Sequence, residues 1–220
     1  MTLPARTGFV AVFCLAAVAI AHQPDVADVQ STLRQVGDND KQQYFVIGMD
    51  HEAPEAGSPL LVILPGGDGS ADFHPFIKRI YKHAVPEGWL VVQPVAPKWN
   101  DNPNRIVWPT EKLPADQQNF KTEQFIEAVL TDVQARHDIA HEKIYCMAWS
   151  SSGPAAYTLG LQGDSAFAGF YISMSVFKPK QLPPLKRADG RRFYIEHSQQ
   201  DKRCPFWMAQ MAHNLLEDNG

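Results

Sequence analysis

Lys143-Ile144-Tyr145-Cys146-Met147-Ala148-Trp149-Ser150-Ser151-Ser152-Gly153 is the stretch whose reading decides the fold. Residues 143–149 form an apolar, strand-like run, and the pattern from Ser151 to about Leu161 suits a helix. A serine on so sharp a strand-to-helix turn takes a strained backbone that lifts its hydroxyl clear of the sheet. The residues two before and two after must then be small, because their backbones nearly touch. Ser150 has Ala148 and Ser152 in those places and fits. Ser151 would put Trp149 in the crowded position, and Ser152 would put Pro154 there. Ser150 is thus the candidate nucleophile. The competing reading is a serine that only caps the helix, a role serine favours.

Outward from this turn the chain alternates. Residues 43–49, 59–64, 88–95, 168–173 and 192–197 read as further strands. The wholly apolar run at 59–64 reads as a strand buried on both faces. Helices fit residues 72–84, with Phe73, Phe76, Ile77, Ile80 and Ala84 on one side, and 121–136, with Phe125, Ile126, Val129, Leu130 and Val133 on one stripe. A last helix at 205–218 is expected to turn Trp207, Met211 and Leu215 inward. Strands alternating with helices imply an α/β fold, a mostly parallel sheet with helices on both faces.

Two further segments stand at strand ends. Leu64-Pro65-Gly66-Gly67-Asp68-Gly69-Ser70 follows the buried run, and Glu196-His197-Ser198-Gln199-Gln200-Asp201-Lys202-Arg203-Cys204-Pro205 follows the strand at 192–197. With the serine turn, these resemble the α/β-hydrolase superfamily, closest to its small serine esterases (carboxylesterases and polyhydroxyalkanoate-depolymerase-like enzymes). Ala148 and Ser152 stand where that family's G-x-S-x-G motif has glycines, and Pro65 stands where its oxyanion loop often has histidine. The resemblance spans residues 43–219. It implies acyl transfer through Ser150, with the Gly67 amide (or that of Asp68) and the Ser151 amide as oxyanion donors. Asp201 would be the acid that orients a catalytic histidine; a plain turn or N-cap aspartate is the bland alternative. Trp149, Trp99 and Trp108 are candidate walls of a substrate pocket, although the two loop tryptophans serve equally well to pack their loop down.

The family's order is Ser, acid, His, yet His213, within the terminal helix, is the only histidine after Asp201. The last strand and the histidine loop therefore read as missing, and the domain at 42–220 as C-terminally incomplete. A serine esterase is the leading function. The alternatives are a non-catalytic ligand-binding protein of the same fold and a serine peptidase.

Other classes fit poorly. Apolar residues make up 45% and charged residues 20% of the chain, with a formal net charge of −4, which gives no basis for binding nucleic acid or an anionic membrane. The glycines at 66–69 lack the Lys-Ser/Thr pair of a phosphate loop, Asp68 and Asp72 lack the other ligands of a calcium loop, and His51-Glu52 lacks the second histidine of a zinc-protease helix. No cofactor or metal is expected, and the partner is a small or polymeric ester. Cys146 and Cys204 read as free thiols. At the N-terminus, Arg6, the apolar run Phe9 to Ala21 and Ala19-Ile20-Ala21 read as a signal peptide over 1–21, too short for the roughly 18–20 residues that span a bilayer. Export, no membrane association after cleavage, and a polar extension at 22–41 follow as expectations.

Overall fold

Seven strands form one sheet in the computed structural model, which describes residues 24–49, 53–102 and 104–220. The proposed signal peptide and His51-Glu52 lie outside the described residues. The strands are β1 (Ser31–Gln35), β2 (Gln43–Ile47), β3 (Ser58–Leu64), β4 (Leu90–Pro94), β5 (Ile139–Trp149), β6 (Gly169–Ser173) and β7 (Phe193–Glu196), in the order β1-β2-β4-β3-β5-β6-β7. β1 and β2 run antiparallel to their neighbours, whereas the ladders joining β4, β3, β5, β6 and β7 are parallel.

The apolar run at 59–64 lies in the interior of the sheet, as its composition requires. Val62 and Ile63 are both fully buried yet belong to opposite faces, because successive side chains alternate. One face packs Ile47, Ile63 and Val91 against Ile77 of α1 (His74–Ala84). The other carries the larger core, covered by α2 (Thr122–Gln134), α3 (Gly153–Gly160) and α4 (Phe206–Glu217). All five residues of the α2 stripe are buried as expected.

Two helix faces differ from their patterns. In α1 only Ile77 is buried, and Phe76 is exposed. In α4 the buried stripe is Ala209, Ala212 and Leu216, while Trp207 is exposed. Small alanines bring that helix close to the sheet, and the larger residues splay to its flanks. Residues 31–35, read as part of a polar extension, form edge strand β1; with only one neighbour and no fully buried side chain, it needs no apolar pattern.

The connection pattern positions the site. From β3 the chain passes to β4 on one side and later to β5 on the other. The loops that leave β3 and β5 therefore diverge and open a crevice at the carboxyl ends of these strands, where open α/β sheets place their ligands.

Candidate active site

Both edges of this crevice are built from the predicted segments. β5 ends on Trp149 in extended conformation (φ −146°, ψ 152°), and Ser150 then takes φ 56°, in the left-handed region. For a non-glycine residue this conformation costs about 1–3 kcal/mol and persists only where its surroundings enforce it. Three contacts do so. The buried Ser152 hydroxyl donates to the Leu64 carbonyl at 2.7 Å and accepts the Trp149 N–H at 3.1 Å, tying the end of β5 to the end of β3. Ala148 is fully buried between Leu64 and Ile172 in the sheet. From the far side, the Ser175 hydroxyl donates to the Ser150 carbonyl at 2.6 Å. A Cβ on Gly153 would lie 1.8 Å from that Ser175 oxygen, so only glycine admits the strut.

The glycine loop faces the serines. Gly67 takes φ 61°, and the Ser151 hydroxyl donates to its carbonyl at 2.8 Å. Gly66 passes so close to Trp149 that a Cβ would meet its ring and carbonyl at 2.6 Å. The Gly67 amide has no hydrogen-bond partner among the described residues. Ser151 follows Ser150 in the first turn of a short 3-10 helix, where leading amides lack partners within the helix. Asp68, the alternative donor, spends a carboxylate oxygen on the Ser70 amide at 3.1 Å.

Trp108 is 2% exposed, and its indole N–H donates to the Pro65 carbonyl at 2.9 Å, anchoring the root of the glycine loop. Trp99 is buried edge-on against Phe120. Both tryptophans are packed into their loop, the second of the two roles open to them. Trp149 is partly buried and meets Phe73 and Phe76 edge-on.

The third segment closes from beyond β6. Asp201 accepts the amides of Cys204 and Arg203 at 2.9 and 2.8 Å, which hold its carboxyl below the usual carboxylate range. His197 donates from Nε2 to the Cys204 carbonyl at 2.6 Å, and the other Asp201 oxygen lies 3.6 Å from that nitrogen. The turn so fixed sets the buried Cys204 thiol beside the Ser150 hydroxyl. Burial, then the Asp201 charge, push this thiol up, and the hydroxyl's hydrogen bond opposes them.

Ser150, the glycine loop and the Asp201 turn are thus brought together. No described histidine hydrogen-bonds Ser150. His74 lies between Ser31 and Gln93, His141 meets Gln134, and His213 pairs with Glu217 at 3.3 Å. Among the described residues no group of three or more His, Cys, Asp or Glu could hold a metal ion, and no helix is long and apolar enough to cross a membrane. Sequence reasoning missed Cys204 at the site and the Ser175 strut. The only signal for the strut was Gly153 directly after the serines.

No family model and no curated protein sequence matches the chain. Solved structures do. A thermostable esterase superposes with TM-score 0.63 at 14% identity, covering 89% of this chain and 53% of its own. An α/β-hydrolase enzyme from a Medee basin deep-sea metagenome library gives 0.59 at 12% identity, covering 87% and 77%. An acylaminoacyl peptidase of Pyrococcus horikoshii gives 0.61 at 14%, covering 87% and 36%. The chain thus spans about half the length of the esterase and a third of the peptidase.

Proposed function

We propose that this chain, which has the α/β-hydrolase fold, is a serine hydrolase that acts on carboxylic esters through an acyl-enzyme on Ser150. The observation that carries the reading is the left-handed Ser150 at the end of β5, facing the unpartnered Gly67 amide across the 2.8 Å bond from Ser151 to Gly67. In this mechanism the Ser150 oxygen attacks the ester carbonyl while its proton passes to a base. The Gly67 and Ser151 amides stabilise the resulting oxyanion. The tetrahedral intermediate collapses, the alcohol leaves with a proton, and water then cleaves the acyl-serine to release the acid and restore the hydroxyl.

The base in this reading is a histidine oriented by Asp201, and none of the described histidines hydrogen-bonds Ser150. The Asp201 carboxyl is pre-set for that task, since two amides keep it ionised. Without the base, the oxyanion hole and binding leave roughly 10³–10⁴-fold over water. We therefore expect the purified 220-residue protein to hydrolyse p-nitrophenyl acetate barely above background. Added imidazole should raise the rate more with the wild-type chain than with Ser150→Ala, which corrects for the reaction of imidazole itself. A p-nitroanilide of the same acyl group tests the peptidase alternative. The Cys204 thiol beside Ser150, where a base is needed, favours one second reading, a ligand-binding protein without turnover. Equal rates for the two chains at every imidazole concentration would select it.

A further inference from the structure

Gly67 carries the first oxyanion amide, yet little in its own chemistry fixes that amide in place. The residue is exposed at φ 61°, and a glycine adopts either sign of φ about equally well. The loop around it is tied at other points. The Gly69 N–H donates to the Gly66 carbonyl at 3.0 Å, the Ala96 N–H to the Gly69 carbonyl at 2.9 Å, and the Phe73 N–H to the Ser70 carbonyl at 3.3 Å. None of these bonds reaches Gly67. Among the described residues, its one hydrogen bond is the Ser151 hydroxyl on its carbonyl.

The second hold on Gly67 is aromatic. A Cβ built on it would meet Phe73 Cζ at 2.8 Å and Cε2 at 3.2 Å, and, chain neighbours aside, no other described atom lies within 4 Å of that point. The far edge of the Phe73 ring thus occupies the space that a side chain at position 67 would take. Phe73 reaches it because the chain folds back into a short 3-10 turn, Ala71–Phe73, just ahead of α1. Trp149 backs the ring, meeting it edge-on with centroids 6.0 Å apart, and itself covers Gly66. Both rings are half-buried and pack against the Ile63 and Ile77 core. Two rings therefore grip two consecutive glycines, and one ring belongs to the residue directly before Ser150.

We propose that Phe73 is a positioning residue of the oxyanion hole, its ring, backed by Trp149, holding Gly67 in the backbone conformation that presents its amide to the Ser150 acyl centre. This role rests on the acyl-enzyme reading of Ser150. Phe73 touches no reacting atom and acts through Gly67 alone. An oxyanion donor is effective because it is already in place when charge develops. With the ring gone, Gly67 is free to exchange among the conformations open to glycine, and its N–H turns away from the hydroxyl for part of the time. A misplacement of about 1 Å at a reacting centre can cost on the order of 10²-fold in rate. The Trp149 contact adds a second consequence. Because Trp149 adjoins Ser150 along β5 and Phe73 across space, the nucleophile and its oxyanion donor are set by one rigid aromatic pair.

Two substitutions test this role in the 220-residue protein. Phe73→Ala removes the ring, and Phe73→Tyr keeps it but adds a hydroxyl on Cζ, the atom nearest Gly67. Labelling by a fluorophosphonate is followed over a range of probe concentrations, with folding checked by circular dichroism. Both variants should lower the limiting first-order rate roughly tenfold or more and leave the half-saturating concentration unchanged. Phe73→Tyr should do so while unfolding at the wild-type denaturant midpoint, which a residue that only packs the core would not show. Independently of any chemistry, the Gly67 amide is read by NMR in the Ser150→Ala protein. Its signal should be single and sharp, and should broaden or split when Phe73→Ala is added. Labelling at the wild-type rate by either variant would overturn the proposal. So would a loss of rate that only tracks the folded fraction, with the Gly67 signal unmoved. A wild-type chain that never labels would count against the Ser150 reading alone, and the Gly67 signal would then decide the role of Phe73.

Discussion

Three consecutive serines divide the work at the turn, and the division rests on geometry. Ser150 carries the strained φ of 56°, Ser151 reaches across to Gly67, and Ser152 is sealed between the ends of β3 and β5. The three should therefore respond differently to substitution. Ser152→Ala removes a buried donor that satisfies the Leu64 carbonyl, and it should cost about 1–3 kcal/mol in denaturant unfolding. Ser150→Gly should instead raise the midpoint, because glycine takes a left-handed backbone without penalty, while eliminating any Ser150 chemistry. A Ser150→Gly protein less stable than wild type would contradict the strain. The size rule at positions 148 and 152 was enough to choose among the serines in the sequence, because it concerns neighbours along the chain. Cys204 and Ser175 were not legible, since their contacts with residue 150 depend on how separate loops return to the crevice.

Strands with strong apolar runs were legible as elements, and those at the margins were not. β3 and β4 announced themselves through their apolar runs, and the one polar side chain inside β4, the buried Gln93, is taken up by His74. β1 did not, and it is held by specific contacts in place of hydrophobic area. Its Ser31 hydroxyl meets His74 Nε2 at 2.8 Å, and His74 Nδ1 meets the Gln93 side-chain oxygen at 2.7 Å, the imidazole stacking on Phe45. A neutral ring with its proton on Nδ1 satisfies both partners, accepting from Ser31 and donating to Gln93. Burial pushes the His74 pKa down to about 4, with the Gln93 hydrogen bond opposing. A depressed histidine binds its proton more readily unfolded than folded, so its contribution is intact above about 6.5 and is lost progressively as pH falls toward 4. Unfolding free energy measured over that window should fall in the wild type, and His74→Gln should flatten the slope. An unchanged slope would mean that His74 is not the group responsible.

At the scale of the whole molecule, the order β4-β3-β5 assembles the site by carrying the chain away from β3 in both directions. Alternating strands and helices foretold a mostly parallel sheet and the crevice at its carboxyl ends. The run at 192–197 was legible too, as the strand that leads into the Asp201 turn. For the chemistry, the most direct measurement is to locate the adduct by peptide mass spectrometry after prolonged incubation with a fluorophosphonate. Even without a base beside it, the half-buried Ser150 hydroxyl facing the oxyanion amides is expected to label slowly, its proton passing to solvent. The account predicts a single adduct, on Ser150, that disappears in Ser150→Ala and persists in Ser151→Ala. An adduct retained in Ser150→Ala, or a wild-type chain that never labels, would contradict it.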